Sequence, residues 1–90
     1  MQFLEEDAFN AAFQERLRRA RTEMGWSQPR MAAALGLKID AYKKYETRPR
    51  SAFPLFLLPK LVVITDTSYA YWFGPLDFAD HSKVRVLRRR

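Results

Sequence analysis

Four cationic side chains lie within eleven residues near the centre of the chain, at Lys38, Lys43, Lys44 and Arg48. Lysine and arginine are charged hydrogen-bond donors, so they bind phosphate and carboxylate oxygens. Asp40 lies among them, and an ionised carboxylate only accepts hydrogen bonds. These residue types predict binding of a charged partner rather than a chemical reaction.

The sequence lacks the usual features of an enzyme. It contains no Gly-rich phosphate loop, no carboxylate pair suited to acid–base chemistry and no nucleophile beside a histidine. The absence of cysteine excludes disulfides and thiolate-bound metals, and the single histidine, His81, lies in a basic C-terminal segment. We therefore expect no catalytic residues, no cofactor and no metal site.

Positive charge is concentrated in two parts of the chain. The net charge is +6, with +5 in residues 30–60 and +3 in residues 77–90, whereas residues 1–29 and 61–76 contribute −1 each. Such segregation predicts a polyanionic partner such as nucleic acid. A basic surface that only aids solubility explains the composition equally well.

Length and hydropathy predict one domain in the cytoplasm. Ninety residues, 48% of them hydrophobic, suffice for one small core. The apolar runs are far shorter than the ~20 residues that a membrane span needs, and the acidic start differs from the basic start of a secretory signal. We expect no membrane contact.

A first helix is predicted over residues 7–24, ending at Gly25. Its apolar positions recur at steps of three and four and share one face. They are Phe9, Phe13, Leu17, Ala20 and Met24. The arginines at 16, 18 and 19 are predicted to lie off this face.

Two shorter helices are predicted next. Ser27 before Pro29 is typical of a helix start, and Gly36 ends this second helix. The third helix runs from Ile39 to about Thr47, with Tyr42 and Tyr45 towards the core and Asp40, Lys43, Lys44 and Thr47 on the opposite side. Two short helices around a glycine, the second basic, favour a helix-turn-helix over residues 27–47, and a helix fits the DNA major groove.

The rest of the chain favours two more helices. Pro49 and Pro54 predict an extended connection, and Pro59 begins a helix to about Thr65, although its "LVVIT" is also typical of a strand. Asp66 tolerates a left-handed turn, and Ser68 begins a last helix that Gly74-Pro75 ends. We predict an all-α, compact five-helix domain over residues 1–75. The basic tail, 76–90, is predicted to be disordered, a dimerisation strand or a helix extension.

Four stretches together carry a resemblance to a known family: "RLRRARTEMGWSQ", "MAAALGL", "AYKKYE" and "SYAYWFG". From Phe9 to Gly74, the chain resembles the lambda-repressor-like (XRE-type) helix-turn-helix regulators. The resemblance implies five helices and sequence-specific binding of double-stranded DNA. It also implies a transcriptional regulator, by default a repressor, and often a homodimer.

The resemblance further implies roles for individual residues. Gln28 matches a common phosphate contact, Arg48 and Arg50 match the loop that follows the DNA backbone, and Arg21 and Glu46 match a structural ion pair. Ile39, Asp40, Lys43 and Lys44 match exposed positions of the recognition helix. The complete DNA-binding set predicted is Gln28, Arg30, Lys38, Ile39, Asp40, Lys43, Lys44, Arg48 and Arg50.

The third helix differs from the family pattern at its start. Lys38 replaces the usual Ser or Thr cap, and Ile39 and Asp40 replace residues that read purine edges. Isoleucine can touch a thymine methyl group and aspartate can accept from cytosine N4, although a carboxylate repels phosphate. The alternative is a protein-interaction module or antitoxin-like partner with weak or no DNA binding. The aromatic residues Phe53, Phe56, Tyr69, Tyr71, Trp72 and Phe73 support it.

Overall fold

A computed structural model describes residues 5–73 of the chain. These residues form five α-helices, α1 (Glu6–Glu23), α2 (Gln28–Leu35), α3 (Ile39–Thr47), α4 (Leu58–Thr65) and α5 (Tyr69–Phe73), with a 3-10 helix at Leu55–Leu57. The all-helical prediction is confirmed, and the alternative of a strand at "LVVIT" is wrong for this segment. The predictions for Gly74-Pro75 and for residues 76–90 lie outside the described part of the chain.

Helix α1 carries the longest apolar face. Phe13, Leu17 and Ala20 are buried, as their spacing predicted. The prediction for Arg16 was wrong, since its side chain is only 2% exposed. Position 16 lies one turn from both 13 and 20, so it belongs to the buried face, and its Nη1 donates to the Trp72 carbonyl oxygen at 3.0 Å.

The ends of α2 follow the expected capping chemistry. The Ser27 hydroxyl accepts a hydrogen bond from the Arg30 amide at 3.2 Å. Gly36 adopts φ +76°, and the following Leu37 amide donates to the Ala32 carbonyl at 2.8 Å. Because Gly36 closes α2 so tightly, α3 begins only three residues later.

The connection from α3 to α4 is more structured than predicted. Gln14 Nε2 on α1 donates to the carbonyls of Arg48 at 2.7 Å and Ser51 at 3.3 Å. The expectation of an extended connection was wrong at residues 55–57, where the Leu57 amide donates to the Pro54 carbonyl and the buried Leu57 draws the chain into a 3-10 turn. The loop after α3 is therefore held to α1.

The core lies where all five helices meet. Its fully buried side chains include Leu17, Met31, Leu35, Tyr42, Leu61 and Trp72. Trp72 Nε1 donates to Thr67 Oγ1 at 2.7 Å, which satisfies the indole in the core. The predicted turn at Asp66, with φ +57°, and the predicted helix start at Ser68, whose Oγ accepts from the Tyr71 amide, are confirmed. In residues 5–73, no helix has the length and hydropathy to cross a bilayer.

Candidate nucleic-acid interface

One concave surface runs along the outer side of α3. The concavity has a volume of about 530 Å³ and is lined by Lys38, Asp40, Ala41, Lys43, Lys44, Thr47 and Arg48. We call this lining the α3 surface. Positions 40, 43, 44 and 47 are three or four residues apart and therefore share one helical face. The structure thus brings together five of the nine residues predicted to bind DNA, four cationic and one acidic.

The charges of the α3 surface are not engaged in ion pairs within the described residues. The ion pairs Arg18–Glu15, Arg21–Glu46 and Arg50–Asp7 all lie outside this surface. Lys38, Asp40, Lys43, Lys44 and Arg48 are all exposed. A phosphate or carboxylate partner therefore displaces no intramolecular ion pair when it binds these cations.

A buried carboxylate fixes the inner side of α3. Arg21 donates to both oxygens of Glu46, from Nε at 2.8 Å and from Nη2 at 2.9 Å. Gln28 Nε2 donates to the same carboxylate at 2.9 Å, and the Tyr42 hydroxyl donates to its other oxygen. We call these four residues the Glu46 network. The predicted Arg21–Glu46 ion pair is confirmed, and the Glu46 network joins α1, α2 and α3.

Protonation states in the Glu46 network follow from burial and hydrogen bonding. Burial raises the pKa of the Glu46 carboxyl, but the bonds from Arg21, Tyr42 and Gln28 outweigh burial and hold this pKa below its ordinary value. Burial and the neighbouring Glu46 raise the pKa of Tyr42 well above its ordinary range, so its hydroxyl stays a donor. The hydrogen bond to Glu46 likewise raises the pKa of Arg21. Arg21 and Glu46 are therefore both charged at neutral pH, while Tyr42 and Gln28 are neutral donors.

The two predicted contacts on α2 lie at its N-terminus. Gln28 is half-buried, and one of the two amide hydrogens on its Nε2 is used by Glu46. The guanidinium of Arg30 lies 4.2 Å from the ring centroid of Trp26. This cation–π contact restricts the rotamers of an otherwise exposed arginine. Both side chains keep donors that the described intramolecular contacts do not use.

Two of the predicted residues do not join the α3 surface. Ile39 was expected to be exposed, and this was wrong: it is half-buried and packs against the core, because it lies one turn before Tyr42 on the inner side of α3. Arg50 lies in a separate concavity with Asp7 and Gln14, and its Nε is 3.7 Å from Asp7 Oδ2. Its side chain is 82% exposed, so this ion pair is weak.

Sequence reasoning missed two residues that shape the α3 surface. Ala41 lines it, and its small side chain leaves space between Asp40 and Lys44. Its position in the α3 surface could have been predicted from helical spacing, since Ala41 lies one turn before Lys44. Gln14 holds the backbone of Arg48 from α1, but nothing in the sequence distinguishes it from other exposed polar residues of that helix.

The chain matches no protein-family model, no curated protein and no solved structure.

Proposed function

We propose that the protein binds double-stranded DNA through the α3 surface and regulates transcription as a helix-turn-helix protein of the lambda-repressor-like type. One observation carries this proposal: an exposed concave surface with four cations outside any described ion pair lies on a helix fixed from behind by the Glu46 network. A rigid cationic helix suits a polyanion, because little conformational entropy is lost on binding.

The dimensions of α3 fit a duplex. An α-helix with its side chains is about 10–12 Å across, and the major groove is about 12 Å wide. In this arrangement Lys38 and Asp40 at the start of α3 face base edges, while Lys43, Lys44 and Arg48 bind phosphates. The N-terminus of α2, with Gln28 and Arg30, meets the backbone of the adjacent strand.

A homodimer on a two-fold symmetric site completes the proposal. A single α3 reads too few base pairs for useful specificity. Two copies with their α3 helices about 34 Å apart would occupy successive major grooves on one side of the duplex. A dimer bound over a promoter would compete with the polymerase, so repression is the expected outcome.

Selection from a random pool of duplexes tests the proposal. We expect full-length protein at low salt to enrich a roughly palindromic motif with half-sites one helical turn apart. The double variant Lys43→Ala/Lys44→Ala should enrich nothing, although it keeps the wild-type melting temperature. Failure of the wild-type chain to enrich any duplex would overturn the proposal.

A second candidate function is protein interaction. Leu55, Phe56 and Val63 are 69%, 80% and 79% exposed, and none of them lines the α3 surface. Exposed apolar side chains of this size occur at protein interfaces. Salt distinguishes the two functions, since binding through phosphates weakens steeply as salt rises whereas an apolar interface responds little.

A further inference from the structure

A small cavity lies between α1, the connection before α4, and α5. Its volume is about 110 Å³, and its lining includes Phe9, Asn10, Phe13, Phe53, Leu55 and Phe73. We call it the aromatic cavity. An apolar cavity of about 150 Å³ holds benzene, so the aromatic cavity has room for one aliphatic side chain but not for a larger molecule.

Asn10 gives this cavity a polar donor. The residue is 6% exposed, and within residues 5–73 its Nδ2 has no hydrogen-bond partner. A buried amide N–H without an acceptor costs about 1–3 kcal/mol, and such groups are rare in folded proteins. An occupant with a carbonyl oxygen would remove this cost, so the cavity favours an occupant that is apolar and carries an acceptor.

The lining of the aromatic cavity includes exposed apolar side chains, and an acidic residue lies one helical turn from it on α1. Leu55 is 69% exposed and Phe73 is 47% exposed, although both line the cavity. Glu6 lies one turn before Phe9 and Asn10 on the same face of α1. Glu6 is exposed and belongs to none of the described ion pairs. A cation beside the anchor would therefore find a free carboxylate.

We propose that the aromatic cavity is a docking site for a polypeptide segment with a leucine-sized anchor, a backbone carbonyl next to the anchor, and an adjacent lysine or arginine. The anchor fills the cavity, the carbonyl accepts from Asn10 Nδ2, and the cation faces Glu6. A pocket that takes one side chain, surrounded by exposed apolar side chains, is the usual form of an energetic centre in a protein interface.

This site is independent of DNA binding. None of its lining residues belongs to the α3 surface. Packing links the two, since the ring centroid of Phe53 lies 5.2 Å from that of Phe13 and 5.7 Å from that of Tyr45 on α3. Loss of DNA binding in an α3 variant would therefore leave peptide docking intact.

Selection of random peptides on the immobilised full-length chain tests the proposal. We expect enriched peptides to combine one bulky aliphatic residue with a nearby lysine or arginine. Leu55→Lys should lower their affinity by about tenfold or more. Ala33→Lys is the control, because it adds the same charge at an exposed position of α2 that lies outside the cavity lining, and it should leave the affinity unchanged.

Two further variants test the polar contacts. Glu6→Lys should remove the preference for basic peptides while keeping the aliphatic anchor, since only the rim charge changes. Asn10→Leu should lower the affinity of every enriched peptide for the protein. The variant should stay folded, as judged by its melting curve. No enrichment on the wild-type chain, or equal affinity of the peptides for wild type and Leu55→Lys, would overturn the docking site. Enriched peptides without cations would overturn the role of Glu6.

Discussion

Asp40 and Lys44 lie four residues apart on the same face of α3, and in the proposed DNA complex their charges would act in opposite ways. The ammonium of Lys44 attracts any phosphate, whatever the sequence. The carboxylate of Asp40 repels phosphates and is tolerated only next to an N–H donor, of which cytosine N4 is the best match in the major groove. Under the proposed function, Lys44 would therefore contribute affinity and Asp40 would contribute selectivity.

Removal of the Lys44 charge should weaken binding to all duplexes. We expect Lys44→Ala to lower the affinity of the dimer about a hundredfold, because each copy loses one charge-assisted hydrogen bond of about 1.5 kcal/mol. The control is Arg18→Ala, which removes a charge from the exposed side of α1 that already pairs with Glu15. Fluorescence anisotropy with a labelled duplex measures both, and equal losses would contradict a specific role for Lys44.

Neutralisation of Asp40 should have the reverse effect. We expect Asp40→Asn to raise affinity for random duplexes about threefold, because a repulsion of about 0.7 kcal/mol with phosphate disappears. Preference for cytosine at one position of the selected site should fall at the same time. Duplex selection with both proteins measures this, and an unchanged base preference would show that Asp40 reads no base.

The sequence predicted which charged side chains of α3 are exposed, but it did not predict which side chains of α1 contact other helices. Lys43 and Lys44 are outward because Tyr42 and Tyr45 occupy the inner side of a helix with a fixed period. Arg16 was misjudged because its long side chain can cover apolar surface and still reach a carbonyl, which depends on the position of α5. Helical spacing alone does not predict contacts between segments that are distant in sequence.

At the level of helices, Glu46 determines where α3 lies relative to α1 and α2. It is 1% exposed and accepts hydrogen bonds from Arg21, Gln28 and Tyr42. Because its folded pKa lies below the unfolded value, its contribution to stability is fully present above about pH 4.3 and is lost as pH falls through the folded pKa.

This linkage predicts a pH dependence that one substitution removes. The free energy of unfolding of the wild type should fall below about pH 4.3, whereas Glu46→Gln should show a flatter profile there. At neutral pH, Glu46→Gln should be less stable by about 3 kcal/mol, since Arg21 loses its counter-ion. Urea unfolding across this pH range measures both, and parallel profiles would contradict the assigned role of Glu46.

The turns after α1 and α2 offer a matched pair of glycines. Gly25 and Gly36 have φ +72° and +76°, and a Cβ would meet nothing within 4 Å at Gly25 and only Lys60 Nζ, at 3.9 Å, at Gly36. Each substitution by alanine should therefore cost a similar amount, about 1–2 kcal/mol of backbone strain. Thermal unfolding measures the loss, and a much larger cost at Gly36 would mean that packing, not backbone conformation, fixes the turn.

Helix ends were predictable where a local signal exists. Ser27, Gly36 and Asp66 act through their own backbone or the next turn, so their roles could be predicted from sequence. The 3-10 turn at residues 55–57 could not, because it depends on the burial of Leu57, which is set by the packing of distant segments. Proline spacing alone predicted an extended path there.

On the scale of the whole molecule, the two functional candidates use different surfaces. The α3 surface is cationic, while Leu55, Phe56 and Val63 are exposed on the 3-10 helix and α4. The all-α class could be predicted from periodicity, but the aromatic cavity depends on how Phe9, Phe53 and Phe73 from distant segments pack together. No pattern along the chain signals it.

The number of chains that bind one duplex is a property of the whole molecule. We expect the full-length chain to bind its selected duplex as two copies, because each α3 reads only a few base pairs. Light scattering of the complex should give a mass of two chains per duplex. A mass of one chain on a site with two half-sites would contradict the dimeric arrangement.

The salt dependence of DNA affinity tests the central claim most directly. For the selected duplex, the logarithm of the association constant should fall linearly with the logarithm of salt concentration. The slope should be about −5, since Lys43, Lys44 and Arg48 of the two copies make six phosphate contacts and each contributes about −0.9. The Lys43→Ala/Lys44→Ala chain should have a slope smaller in magnitude by about 3.6, because each of the two bound copies loses two phosphate contacts. A slope near zero for the wild type, or the same slope for both proteins, would contradict DNA binding through the α3 surface.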